Sequence, residues 1–133
     1  MGLKDEERKD VVKFRLEKAN ETFAEIPVLI DNKFYRTAAN RLYYACFYAA
    51  TALLINRGFE THTHSGVKTL LGLHYIKENK IEKALGTMYD QLFYLRQTGD
   101  YGDWVTIDVD VLKSYLEPAR KFIEEIKKLI SKN

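Results

Sequence analysis

From Phe34 to Ile55 the chain reads FYRTAANRLYYACFYAATALLI. Wound at about 100° per residue, this stretch is apolar almost all the way round, the pattern of a helix enclosed by other helices. Ala38, Ala45, Ala49 and Ala52 make a row of small residues that lets a neighbouring helix come close. The exceptions are Arg41, Tyr44 and Tyr48, which share one face because they are spaced by three and four. Before this central helix, Lys4 to Glu25 predicts a first helix with Val11, Val12, Phe14, Leu16, Ala19, Phe23 and Ile26 as its apolar stripe. Pro27 ends it or opens a short connection, and Asp31 or Asn32 is placed to cap the central helix. Gly58 suits a left-handed residue closing the central helix after Asn56 and Arg57.

Beyond Gly58 a polar loop leads into a third helix over Ser65 to Glu78, capped by Thr63 or Ser65. Asn79-Lys80 breaks the pattern. A fourth helix follows from Glu82 to Gln97, with Leu85, Met88, Tyr89, Leu92 and Leu95 inward. Thr106 or Asp108 starts a fifth, whose apolar positions from Val111 to Ile130 step by three and four. Pro118 inside it predicts a kink, with backbone bonding lost around residue 114. No strand pattern survives beyond a few residues around Val105-Thr106-Ile107, and there is no internal repeat or low-complexity tract. The expected fold class is all-α: an antiparallel up-and-down bundle of about five helices, forming one domain over residues 1–133.

Composition narrows the class without naming an activity. Hydrophobic residues at 46% and charged residues at 30% are ordinary for a soluble globular chain. A net charge of +2 permits nucleic-acid binding but does not argue for it. The single cysteine, Cys46, excludes an internal disulfide and a thiolate zinc cluster, and a reducing cytoplasm fits it. MGLKDEERKD has no apolar signal core, and Glu6 stands where a myristoylation signal has Ser or Thr. Arg41 and the tyrosines interrupt the longest apolar run, so no membrane span is expected.

Arg41 is the first candidate for chemistry, because a guanidinium rising from an apolar helix needs acceptors. Asp100 or Asp103 could supply them as a structural ion pair. Alternatively the planar donor fork grips a phosphate; one carboxylate can hold an arginine while its other edge meets a ligand. His62 and His64 form an HxH pair with no third ligand nearby, so no metal and no cofactor is expected. His64, beside a helix N-terminus, should be neutral, since the dipole there disfavours imidazolium. Arg96, Asp100 and Tyr101 form a second polar group. It reads either as a helix-ending salt bridge or as a phosphate contact, with Tyr101 and Trp104 covering the core or stacking on bases. His74 reads as a boundary residue, and Lys127, Lys128 and Lys132 as a solvated face. No phosphate-binding glycine loop, Ser-His-Asp spacing or hydrolytic carboxylate pair is visible.

With these residues in view, the sequence resembles the HEPN family (higher eukaryotes and prokaryotes nucleotide-binding domain), in its small stand-alone prokaryotic branch. Asn40-Arg41-Leu42-Tyr43-Tyr44-Ala45-Cys46-Phe47-Tyr48-Ala49-Ala50 is similar to the central-helix motif NR-x-YYA-x-FHAA. Thr63-His64-Ser65-Gly66 resembles the THSG turn, and Leu95-Arg96-Gln97-Thr98-Gly99-Asp100-Tyr101 resembles the R-x-x-A-D-Y segment. The resemblance implies an up-and-down helical bundle that forms a homodimer and is often paired, as a toxin-antitoxin system, with a minimal nucleotidyltransferase. It also implies, for many members, a metal-independent ribonuclease whose motif places a histidine four to six residues after the arginine. Here Tyr48 occupies the histidine's place, and a tyrosine titrating near 10 is poorly poised as an acid-base at neutral pH. The expectation is therefore a protein binding nucleotide or RNA through Arg41, Tyr44, Tyr48, His64, Arg96, Asp100 and Tyr101. An endoribonuclease toxin, with Arg41 and His64 as its catalytic candidates, is the alternative, and a protein-protein module is a third reading.

Overall fold

The computed structural model describes residues 4–61, 63–101 and 106–132, and for residues 99–101 the backbone alone. Six α-helices run in the order α1 (Asp5–Asp31), α2 (Tyr35–Asn56), α3 (His64–Leu71), α4 (Lys83–Tyr101), α5 (Val109–Ser114) and α6 (Leu116–Ser131). A π-helical segment, Gly72–Ile76, continues α3. No strand occurs among the described residues. The bundle is all-α, as the periodicity predicts.

α2 is the hub, touching α1, α3, α4, α5 and α6. Its alanine row at positions 38, 45, 49 and 52 is wholly buried, as are Leu42, Tyr43 and Cys46. Small side chains on α2 let the flanking helices approach, and larger ones from those helices, Ile26, Leu92, Phe122 and Ile126, fill the space between. Each is close to fully buried, and burying such a side chain contributes about 2 kcal/mol.

Three helical segments end in the same device. Lys33, Gly58 and Asn79 each adopt a left-handed conformation, with φ of 62°, 87° and 59°. Around each, paired backbone bonds fold back onto the helix: Phe34 N–H donates to the Leu29 carbonyl and Lys33 N–H to Ile30. Phe59 donates to Leu54 and Gly58 to Ile55, and Lys80 donates to Tyr75 and Asn79 to Ile76. Each is a Schellman closure that satisfies carbonyls left over at a helix end. Gly58 was legible as such; a lysine in that role was not.

Several expected boundaries move. Pro27 does not end α1, which continues to Asp31; a proline lacks one donor, but the turns beyond it carry Ile30 into the core. Asp31 and Asn32 do not cap α2, whose N-terminus has no side-chain cap. Asn32 instead turns back, its Nδ2 donating to the Val28 carbonyl at 2.8 Å. Phe14, assigned to the core stripe, is 60% exposed, and Val111 is exposed as well. The third helix keeps α geometry only to Leu71 before the π segment, and α4 runs past Gln97 to Tyr101. The kink foreseen at Pro118 appears as a break at Tyr115, separating α5 from α6. Asp108 caps α5, its Oδ1 accepting from Asp110 and Val111 N–H. His62, Asp103, Trp104 and Val105 lie outside the described residues. Among the described helices none is long and apolar enough to cross a membrane.

Candidate functional site

Neighbouring helices cover α2 on every side but one. Asn40, Arg41, Tyr44, Phe47 and Tyr48 are only partly buried, and at 100° per residue they fall within an arc of about 120°. Thr37 and Ile55, also incompletely covered, extend the stripe toward either end of the helix. The polar and aromatic exceptions in the central helix therefore coincide with the face its own bundle leaves open.

Arg41 lies on this stripe, half-buried. Its Nε and one terminal nitrogen donate to the Asn40 side-chain carbonyl at 3.1 and 2.9 Å, and its guanidinium carbon sits 5.3 Å from the Tyr44 ring centroid. Among the described residues no carboxylate pairs with it. Asn40 is a neutral acceptor that orients the fork without cancelling its charge, and no other described residue takes the remaining donors.

Arg96 reaches the same ring from α4. Only 8% exposed, its guanidinium carbon lies 5.2 Å from the Tyr43 ring, 5.4 Å from Phe93 and 5.6 Å from Tyr44. Such an aromatic box stabilises a cation through ring quadrupoles, by up to about 2 kcal/mol where solvent is excluded. Tyr44 is thus within cation-π range of two guanidiniums. Asp100 and Tyr101 belong to the last turn of α4, but their side chains lie outside the described residues.

His64 enters from the first position of α3. Thr63 caps that helix, its hydroxyl accepting from Gly66 N–H at 2.9 Å. A methyl group at Gly66 would collide with the side chains of Thr61 and Thr63, so the turn needs glycine there. The turn delivers the imidazole onto Phe47, with centroids 4.5 Å apart, and edge-on to Tyr44 at 5.7 Å. Its Nδ1 is 2.7 Å from the Tyr43 hydroxyl. Burial, and then the Arg96 charge, hold His64 below its ordinary titration range, so it is neutral near pH 7. The direction agrees with the expected neutrality, and its causes are burial first and the Arg96 guanidinium second.

Tyr43 is the keystone. Almost fully buried, it packs against Tyr44, Phe47, His64, Tyr89 and Phe93, and burial pushes its hydroxyl pKa up to about 12. It stays protonated and bridges α2 to α3. Tyr48 stands at the open end of the stripe, its ring 5.9 Å from Tyr44 and 6.0 Å from Lys18 Nζ of α1.

The structure gathers Arg41, Tyr44, Tyr48, His64 and Arg96 into one cluster drawn from α2, α3 and α4. Sequence reasoning missed Tyr43, Phe47, Phe93 and Lys18 as members. Phe93 precedes Arg96 by one helical turn and so had a local signal; Lys18 is brought in by tertiary packing and had none. His74, by contrast, lies apart, its ring tilted against Phe59 with centroids 4.5 Å apart. Among the described residues no three His, Cys, Asp or Glu side chains assemble into a possible metal site, and burial pushes the Cys46 thiol up, leaving it a small hydrophobe.

Fold and cluster together define a helical-bundle protein whose central helix keeps one face only partly covered, bearing arginine and tyrosines and met there by His64 of α3 and Arg96 of α4. The HEPN domain family model matches residues 12–129, and the chain belongs to that family. It is 34% identical to a UPF0332 protein of Thermotoga maritima, over 93% of this chain and 94% of the relative. It is 30% identical to a Methanocaldococcus jannaschii protein named "Putative toxin MJ0605", over 97% and 96% of the two chains. A second protein of that organism, "Putative toxin MJ0142", is 32% identical over 89% of this chain and 81% of its own.

Proposed function

We propose that this HEPN protein binds RNA or a nucleotide on the open stripe of α2, as the HEPN component of a toxin-antitoxin pair with a minimal nucleotidyltransferase. In this reading Arg41 and Arg96 take phosphate, Tyr44 and Tyr48 stack or donate hydrogen bonds, and His64 contributes a neutral donor or acceptor. Asp100 and Tyr101 complete the site from the end of α4. The observation that carries it is Arg41: a half-buried guanidinium oriented by a neutral amide, facing an aromatic ring, with donors that no other described residue takes. Such a fork matches phosphate oxygens, and aromatic faces beside it suit bases. The toxin names of the two archaeal relatives fit the wider role.

Titration of a labelled oligoribonucleotide, or of ATP, at low salt tests this. Arg41→Ala should weaken binding at least tenfold, the loss expected from one charge-assisted bidentate contact at about 1.5–3 kcal/mol; unchanged affinity would overturn the reading. A homodimer with the two stripes facing each other belongs to the same proposal, and sedimentation as a monomer at micromolar concentration contradicts it.

One observation supports an endoribonuclease as the second reading. His64 is held neutral against the ring that Arg41 and Arg96 also contact, so a base stands beside the cations although Tyr48 replaces the motif histidine. RNA cleavage without metal that disappears in His64→Ala would favour it; intact RNA rejects it.

A further inference from the structure

The open stripe does not end at the cluster. Phe93, which contacts Arg96 and lies 6.3 Å from the His64 ring, packs edge-on at 5.5 Å against Tyr94, a residue 58% exposed. Lys68, one helical turn beyond His64 on α3, holds its Nζ 5.6 Å from the centre of that ring. From this pair extends a groove of about 700 Å³. It runs between α3 with its π segment and α4. Ser65, directly after His64, opens it, and Lys68, Lys77 and Lys83 are among its lining residues.

Along α4 the positions Lys83, Thr87, Asp90 and Tyr94 recur at three and four residues and so form one stripe, which meets Lys68 of α3 at Tyr94, while Arg96 lies on the core-facing side of α4. Opposite them, Gly72 begins the π segment, and a methyl group added there would meet nothing, so the wall is open at that point. π segments inside helices are common at functional sites. Lys77 and Lys83 make no ion pair among the described residues. Asp90 is the one carboxylate lining the groove, and Lys68 lies 3.9 Å from it. The wall is therefore net positive, hydroxyl-bearing, and marked by an exposed aromatic ring with a cation over it.

We infer that the ligand of this face is a single-stranded RNA several nucleotides long, which crosses the α2 cluster, stacks a base on Tyr94 beneath Lys68 and lays its phosphates along the α3-α4 groove. This inference rests on the reading given under Proposed function and adds a second subsite to it. An exposed aromatic ring beside lysines suits alternating bases and phosphates; an acidic peptide would use the lysines and leave the ring idle. Tyr94 and Lys83 are about 16 Å apart along α4 at the helical rise. At about 3.4 Å per stacked nucleotide that is roughly five nucleotides, and one more at the α2 cluster makes about six.

The test is a length series of 5′-labelled oligoribonucleotides, from one nucleotide to about eight, bound to the full-length wild-type chain and to Lys68→Ala/Lys83→Ala, Tyr94→Ala, Asp90→Asn and Arg41→Ala. All these side chains except Arg41 are surface positions, and circular dichroism melts confirm that each variant is folded. Wild-type affinity should rise with length and level off near six nucleotides. The double lysine variant should lose at least tenfold for the longer oligomers and nothing for the mononucleotide, with the slope of log K on log salt falling by about 1.4. Tyr94→Ala should lose about tenfold for the longer oligomers, while Asp90→Asn should bind them more tightly. Arg41-dependent binding whose gain with length ignores Lys68, Lys83 and Tyr94 refutes the groove and leaves the α2 site standing. Binding at no length, or binding indifferent to Arg41, refutes both. An acidic peptide that competes with RNA in the wild type and equally in Tyr94→Ala overturns the assignment to RNA.

Discussion

Tyr43→Phe removes one oxygen from the centre of the cluster and leaves every ring contact in place. That oxygen is 2.7 Å from His64 Nδ1, and a typical net hydrogen bond contributes about 1 kcal/mol. His64 is half-buried, so water can partly replace the lost partner, which keeps the cost at the low end. The hydroxyl of Tyr89, buried beside Tyr43 and with its own pKa raised chiefly by burial, loses a polar neighbour, which pushes the cost up. The expected destabilisation is about 1–1.5 kcal/mol. For a chain of this size it corresponds to a fall in Tm of roughly 4–6 °C. Thermal melts followed by circular dichroism give the first number. Nitrogen chemical shifts of the His64 ring give the second, because Nδ1 loses its partner while Nε2 is untouched. An unchanged Tm together with an unchanged His64 spectrum would show that the α2-α3 bridge does not hold the turn, and the derivation of the site's geometry would fail with it.

Other expectations follow from the same structure. Because burial and Arg96 depress the folded-state pKa of His64 below 6.5, the unfolded chain binds its proton more readily. Stability should therefore be level above that value and fall as pH drops through it toward the folded-state pKa, a decline that His64→Gln should flatten in urea titrations. Gly66→Ala drives a methyl into the Thr61 and Thr63 side chains and should cost about 1–3 kcal/mol, read as a lower urea midpoint. Thr63→Ala removes the cap hydrogen bond and a long contact with the Ser65 hydroxyl and should cost about 1 kcal/mol by the same measurement. Leu54→Ala, at a position 1% exposed, should cost about 2–5 kcal/mol, whereas Val28→Ala, at one 61% exposed, should stay within about 0.5 kcal/mol.

The bundle was legible because its hub is a long stretch with no polar side except Arg41 and its neighbours, a pattern that only enclosure by other helices accommodates. Gly58, the Pro118 break and the Thr63 cap were legible for local reasons: left-handed backbone, a missing donor, a hydroxyl placed before a helix. The errors are tertiary overrides. Pro27 reads as a stop, yet burial of Ile30 draws α1 onward; Phe14 reads as core, yet it lies on the side of α1 opposite the buried Val12 and the packed Leu16. The π segment at Gly72 has no sequence rule that would find it. In the site, Arg41 and its tyrosines stood out as exceptions on an apolar helix, and His64 through its turn. Tyr43 was hidden by being ordinary: a buried tyrosine on a buried helix, whose role as a bridge depends on where α3 and α4 come to rest.

The central claim is that the Arg41 guanidinium, oriented by Asn40 and left without a carboxylate among the described residues, meets phosphate. The most direct measurement is the Nε–H resonance of Arg41 in the nitrogen-proton spectrum of the folded chain, followed as a single-stranded oligoribonucleotide is added at low salt. Arg120, paired with Glu117 on α6, serves as the internal reference. A saturable shift of the Arg41 signal with Arg120 stationary is the predicted result. Saturation of the protein with no movement at Arg41, or the two arginines moving together, would contradict the account.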